Sequence, residues 1–178
     1  MAEKMRVACV CGSLQSESGN LRLLKVAQQL APHPLELEIF DGLGALPHFN
    51  PDLDASTLES VSAWRQCLRS SLVVLIACPE YGHSLPGVVK NGVDWVIGSG
   101  ELEGKPVAVT ASTPSLERGR RGIKALTDTL GAVSAQLLWD TPIVRGDAEV
   151  ASVHGLLNCV LDAARREQGS PGALLNRL

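Results

Sequence analysis

"LVVLIAC", residues 72–78, is the most apolar run of the chain, and its reading decides the fold. It carries no charge and is short for a helix, so it is a central strand covered on both faces. Upstream, Ser56 to Leu68 repeats apolar residues at helical spacing, and downstream Pro86 to Ile97 does the same. Pro86 falls in the first turn, where its missing N–H and fixed φ suit a helix start. The alternation extends both ways. Val7 to Cys11 is a first buried strand, followed by Leu21, Leu24, Ala27 and Leu30 at helical spacing. Leu35 to Phe40 alternates apolar and polar, as a half-exposed edge strand does. Val107 to Ala111 is a fourth strand after the turn Gly104-Lys105-Pro106. Gly122 to Leu130 is predicted helical with Gly131 as its C-cap, Val133 to Leu138 is a fifth strand, and Ala148 to Arg166 is the last helix. Uncharged strands separated by amphipathic helices specify a parallel sheet covered on both sides, a doubly wound α/β architecture. One domain over 1–168 is expected, with a frayed tail over 169–178.

Composition narrows the function classes. The chain has 178 residues and 45% hydrophobic content, enough for a substantial core. A formal charge of −3 gives no electrostatic footprint for nucleic acid. No run approaches the length of a membrane span, and Met-Ala-Glu-Lys-Met-Arg lacks the apolar core of a secretion signal. Five cysteines form no CxxC pair, which points to a reducing compartment, the cytoplasm, and to cysteines acting as small core hydrophobes. His33, His48 and His154 show no metal spacing, so no metal site is expected.

In a doubly wound sheet, ligands sit beyond the carboxyl ends of the strands. Three loops therefore matter: those after strands one, three and four. The first is "VCGSLQSESGN", residues 10–20. A dinucleotide fingerprint fails because only Gly12 and Gly19 are present, wrongly spaced. A Walker loop fails for want of a lysine. A cysteine phosphatase loop fails because Glu17 stands where an arginine must hold phosphate. What remains is a set of neutral donors: Ser13, Gln15, Ser16, Ser18 and Asn20, joined by the free N–H groups and dipole of a helix start. Such a nest suits a resident monophosphate that is held and not transferred. A Ser/Asn-rich turn that only caps a helix is the other reading.

The second loop is "CPEYGHSLPGVVKNGVDW", residues 78–95. It resembles the P-E-Y-N-x-S-x-P-G-x-L-K-N-x-I-D-W signature of the NADPH-dependent FMN reductase family, at Pro79, Glu80, Tyr81, Ser84, Pro86, Gly87, Lys90, Asn91, Asp94 and Trp95. The first loop resembles that family's G-S-L-R-x-x-S-x-N phosphate loop through Gly12, Ser13, Leu14, Ser18 and Asn20. "LPHFNPDLD", residues 46–54, is similar to its loop after the second strand. The resemblance implies a flavodoxin-like three-layer sandwich, with a five-stranded parallel sheet in the order 2-1-3-4-5. It implies FMN as cofactor, NADPH or NADH as donor, and a homodimer or homotetramer. It implies that Ser13, Gln15, Ser18, Asn20 and the Leu21 backbone hold the FMN phosphate. Pro79, Glu80, Tyr81, Gly82, His83 and Ser84 would run along the isoalloxazine ring, and Ser112 would stand at its third edge. Three departures stand out. Gln15 replaces the usual Arg, Gly82 replaces the usual Asn, and residues 116–122 replace a G-G-x-R-A-Q motif.

The implied activity is an NAD(P)H-dependent FMN oxidoreductase that delivers electrons to a small acceptor: free flavin, quinone, azo compound or metal oxyanion. Flavin N5 carries the hydride chemistry, so no catalytic side chain is expected. Glu80 either pairs with an arginine across a subunit interface or hydrogen-bonds within its own chain. Arg118, Arg120 and Arg121 either attract the phosphates of NAD(P)H or solvate a helix start. An electron carrier of flavodoxin type, or a non-catalytic module, is the alternative. Weak acidity and 3% aromatics count against the carrier, and Gln15 and Gly82 leave the module open.

Overall fold

The structure, a computed structural model, describes residues 3–169. Its elements run β1 (Met5–Cys11), α1 (Gly19–Leu30), β2 (Leu35–Phe40), α2 (Glu59–Arg69), β3 (Val73–Ala77), α3 (Gly87–Asp94), β4 (Pro106–Thr110), β5 (Ser112–Thr113), α4 (Arg120–Ala132), β6 (Gln136–Trp139), β7 (Ile143–Val144) and α5 (Glu149–Gly169). Five parallel strands pair in the order β2-β1-β3-β4-β6, so the flavodoxin-like order is present with β6 as the sheet's fifth strand. Beyond the ends of β4 and β6 the chain forms a second, two-stranded ribbon, with Ser112 opposite Ile143 and Thr113 opposite Val144.

Helices cover both faces. Val7, Cys9, Leu23, Leu24, Leu75, Leu156 and Leu157 pack on the side of α1 and α5. Val10, Trp64, Val74, Ile76, Val89, Val109, Ile123 and Leu126 pack on the side of α2, α3 and α4. Each buried Leu or Val contributes about 1.5–3 kcal/mol. β3 is buried at every residue, as its lack of charge requires. The order reverses direction between β1 and β3: β2 lies on one side and β4 on the other. The loops after β1 and β3 therefore flank a crevice at the switch point.

Several bounds differ from expectation. β1 begins at Met5, and α2 begins only at Glu59, because Asp54 caps a separate 3₁₀ turn over Ala55–Thr57. α3 closes at Asp94 with Trp95 as C-cap. α4 starts at Arg120 and continues through Gly131 to Ala132. Gly131 is therefore no C-cap. The left-handed residue is Ser134, at φ 56°, and the strand expected from Val133 starts instead at Gln136. α5 runs through Gly169, the first residue of the expected frayed tail. The rest of that tail lies outside the described residues.

All five cysteines are free thiols. Burial pushes the Cys78 thiol up to about 12 and the Cys67 thiol up to about 11, and raises Cys9 further. Thiols held protonated in this way behave as core hydrophobes.

Candidate functional site

The first loop is fixed by packing before it offers any chemistry. Gly12 donates its N–H to the Ala77 carbonyl at 2.9 Å. A Cβ there would stand 2.9 Å from Val89 Cγ2 and 3.1 Å from Pro79 Cδ, so the first two loops touch only because residue 12 is glycine. Ser18 is the N-cap of α1, its Oγ accepting from Asn20 N at 3.2 Å. Ser13 Oγ accepts from Gln15 N at 3.3 Å and lies 3.3 Å from the Tyr81 hydroxyl. Ser13, Ser18 and Asn20 are buried although polar. Asn20 Oδ1 accepts from Ser112 N at 2.9 Å, which ties the third loop to the front of α1.

One atom in this group is left over. Ser112 Oγ is buried and finds no hydrogen-bond partner among the described residues. It lies against Gly19, where an added Cβ would come within 3.4 Å of it. The Gly19 and Leu21 N–H groups at the same helix start also find no acceptor among the described residues. An orphaned buried hydroxyl costs about 1–3 kcal/mol unless a ligand satisfies it. Ser18, Asn20, Leu21 and Ser112 thus come together at the positive end of α1's dipole, with Ser13 earlier in the same loop beside Tyr81. Gln15 differs from Ser13, Ser18 and Asn20 in being exposed.

The second loop is a tight hairpin. Tyr81 N donates to Ser84 O and Ser84 N to Tyr81 O, both at 3.0 Å. Gly82 and His83 between them have φ of 56° and 64°, the signature of a type I′ turn. Glycine meets this backbone demand at Gly82 without strain, as an asparagine there would at little cost. Tyr81, Gly82 and His83 are exposed; Pro79, Glu80 and Ser84 are half-buried.

Glu80 joins the second loop to α4. Gly119, the N-cap of α4, has no side chain to cap it. Glu80 Oε2 supplies the cap from 41 positions away, accepting from Arg121 N at 3.0 Å and Gly122 N at 3.3 Å. Its Oε1 lies 3.2 Å from His83 Nδ1. The His83 hydrogen bond first, and then the two backbone bonds, hold its carboxyl below the usual range. Of the two expectations for Glu80, the hydrogen bond within the chain is the one observed. Gly122 makes this approach possible: a Cβ there would sit 2.9 Å from Glu80 Cα. Sequence reasoning allowed for a hydrogen bond of Glu80 within the chain but named neither its partners on α4 nor the Gly122 contact. The one available signal was a glycine near a helix start whose side chains gave no cap.

The arrangement can hold an anion by neutral donors and a dipole, beside a preformed hairpin that walls the crevice. A model of the family described as NADPH-dependent FMN reductase matches residues 5–148. A quinone reductase from Pseudomonas putida is 37% identical over 118 residues, 64% of this chain and 63% of that protein. An NAD(P)H-dependent FMN reductase from Pseudomonas aeruginosa is 33% identical over 116 residues, 64% of this chain and 62% of that protein. These matches thus span less than two thirds of either relative. Among solved structures, the flavoenzyme NAD(P)H:(acceptor) oxidoreductase FerB from Paracoccus denitrificans superposes with a TM-score of 0.80 at 29% identity, covering 92% of this chain and 98% of that one. No helix among the described residues is long and apolar enough to cross a membrane.

Proposed function

Given that the chain belongs to the NADPH-dependent FMN reductase family, we propose that it is an NAD(P)H-dependent oxidoreductase that holds FMN and reduces a small acceptor. The observation that carries the reading is Ser112 Oγ, buried and unpartnered beside the front of α1. Its O–H is a donor without an acceptor, and a phosphate oxygen would supply the acceptor. The residues fit FMN on these grounds. Ser13, Ser18, Asn20, the Leu21 N–H and Ser112 would hold the phosphate, with Gln15 at the outer rim. Pro79, Glu80, Tyr81, Gly82, His83 and Ser84 would line the ring.

FMN, when bound, supplies the atom that accepts hydride and hands the electrons on. The chain's own residues bind and orient. The α1 dipole and the buried hydroxyls would stabilise the phosphate by hydrogen bonding and partial charge. The Glu80 cap sets the distance between the ring loop and α4. The exposed Tyr81–His83 tip leaves one side of the crevice open, so donor and acceptor can take turns. A quinone-class acceptor is the first to test, since relatives are named for it; free flavin, azo compounds and metal oxyanions follow. The reading includes one domain over residues 1–168 and a cytoplasmic homodimer or homotetramer, supported by five free thiols and by the family resemblance.

The decisive test is the visible spectrum of the purified protein, with FMN supplied, before and after anaerobic addition of NADPH. A bound flavin that bleaches is expected. A colourless protein that takes up no FMN overturns the reading and leaves the non-catalytic module.

A further inference from the structure

A cleft of about 470 Å³ lies against the first half of α4, lined by His83, Arg120, Arg121, Lys124, Ala125 and Asp128. A second, of about 350 Å³, shares Arg120 and Lys124 and reaches Asp140 to Pro142. Arg118, the third arginine of the cluster, lines neither. Arg120 commits only its Nε, to the Leu116 carbonyl at 2.8 Å. The Arg121 guanidinium has no partner among the described residues; Glu80 holds its backbone N–H. Lys124 pairs with Asp128 one turn on, an exposed contact of the kind that contributes little and opens readily. Glu117 is close enough for Arg120 to help hold its carboxyl low, the Ser115 hydroxyl being the larger cause, yet no ion pair forms between them. In a chain of net charge −3, two guanidinium groups whose terminal nitrogens find no partner among the described residues stand on one wall and can take an anion.

The cleft begins where the ring loop ends. His83 is both the tip of the Tyr81–Ser84 hairpin and a wall of the cleft. A nicotinamide dinucleotide with its nicotinamide at the hairpin would trail its adenosine end outward past α4. We propose that the Arg120, Arg121 and Lys124 wall takes the 2′-phosphate of NADPH and makes the chain prefer NADPH to NADH. The inference rests on the reductase reading above. A terminal phosphate monoester offers three oxygens and up to two charges, which match two planar guanidinium groups and an ammonium. The pyrophosphate is common to both nucleotides and lies nearer the nicotinamide, so it cannot serve for discrimination. Lys124 exchanges Asp128 for the phosphate when the nucleotide arrives.

The test separates binding from turnover. The full chain, with FMN supplied in excess, is titrated calorimetrically with 2′,5′-ADP and with 5′-AMP, neither of which carries hydride. The expected result is at least about tenfold tighter binding of 2′,5′-ADP at low salt, shrinking as salt rises, because charge-assisted hydrogen bonds to an exposed phosphate are screened by salt. The double variant Arg120→Ala/Arg121→Ala should bind the two ligands equally, and Arg120→Lys/Arg121→Lys should keep part of the difference. Both arginine side chains are exposed and the Glu80 cap uses backbone only, so the variants retain the fold. In turnover, KM for NADPH should rise about tenfold in the Ala variant, with KM for NADH and kcat unchanged. Equal binding of the two ligands by the unaltered chain, or a difference that survives in the Ala variant, overturns the proposal. If the unaltered chain oxidises neither nucleotide, the reductase reading fails, while the 2′,5′-ADP titration still decides the cleft.

Discussion

Replacing Glu80 tests the bond between the ring loop and α4. The carboxylate accepts from Arg121 N and Gly122 N, the second and third helical positions, where an N-cap side chain normally acts. Without it both donors lose their partner, because Gly119 offers none. Loss of an N-cap costs about 0.5–2 kcal/mol. Loss of an anion at a helix start costs about 0.3–1 kcal/mol. Glu80→Ala should therefore destabilise by about 0.8–3 kcal/mol, whereas Glu80→Gln, which keeps a carbonyl acceptor, should lose only about 0.3–1 kcal/mol. The assay is urea unfolding at neutral pH, where a lower midpoint with unchanged slope reports stability alone. Melting should fall by about 2–4 °C per kcal/mol for a chain of this size. The pH dependence has a definite sign. The folded carboxyl titrates below its ordinary 4.5, so its contribution is complete above that pH and is lost as pH falls through the folded value. The gap between the unaltered chain and Glu80→Gln should close below about pH 4.5. An Ala variant with the original midpoint would refute the capping role outright.

Two further substitutions probe neighbouring contacts. Ser112→Ala removes the buried hydroxyl that lacks a partner. Flavin-free protein should melt at the same temperature or slightly higher, while FMN affinity, followed by flavin fluorescence quenching, falls about tenfold or more; undiminished affinity would take Ser112 out of the phosphate's donors. Gly122→Ala places a methyl 2.9 Å from Glu80 Cα and 3.1 Å from the Pro79 carbonyl, so backbone must move and a loss of about 1–3 kcal/mol is expected by urea unfolding. Gly131→Ala on the same helix meets nothing within 4 Å and should gain about 0.5 kcal/mol, so equal effects at the two sites would contradict the packing described.

The sheet was legible because its strands carry strong, short signals. Leu35 to Phe40 alternates and is the edge strand with those bounds, and the uncharged runs at Val73 and Val107 fall within a residue of their strands. Elements failed where one apolar run spans two of them. Val133 and Ala135 look like strand, yet the chain is still leaving α4 there, and a left-handed serine makes the turn a glycine was expected to make. At the site, Ser13, Ser18 and Asn20 could be read directly, being small polar residues between a strand and a helix. The Ser112–Asn20 bond and the Glu80 cap join loops 92 and 41 positions apart, so only the strand order brings them together.

The Tyr81–Ser84 hairpin closes both of its own backbone bonds and holds two left-handed torsions within one four-residue turn. Its shape is held by bonds within its own four residues. A flat molecule laid against it freezes few rotations that are not already frozen, and successive visitors meet an unaltered template.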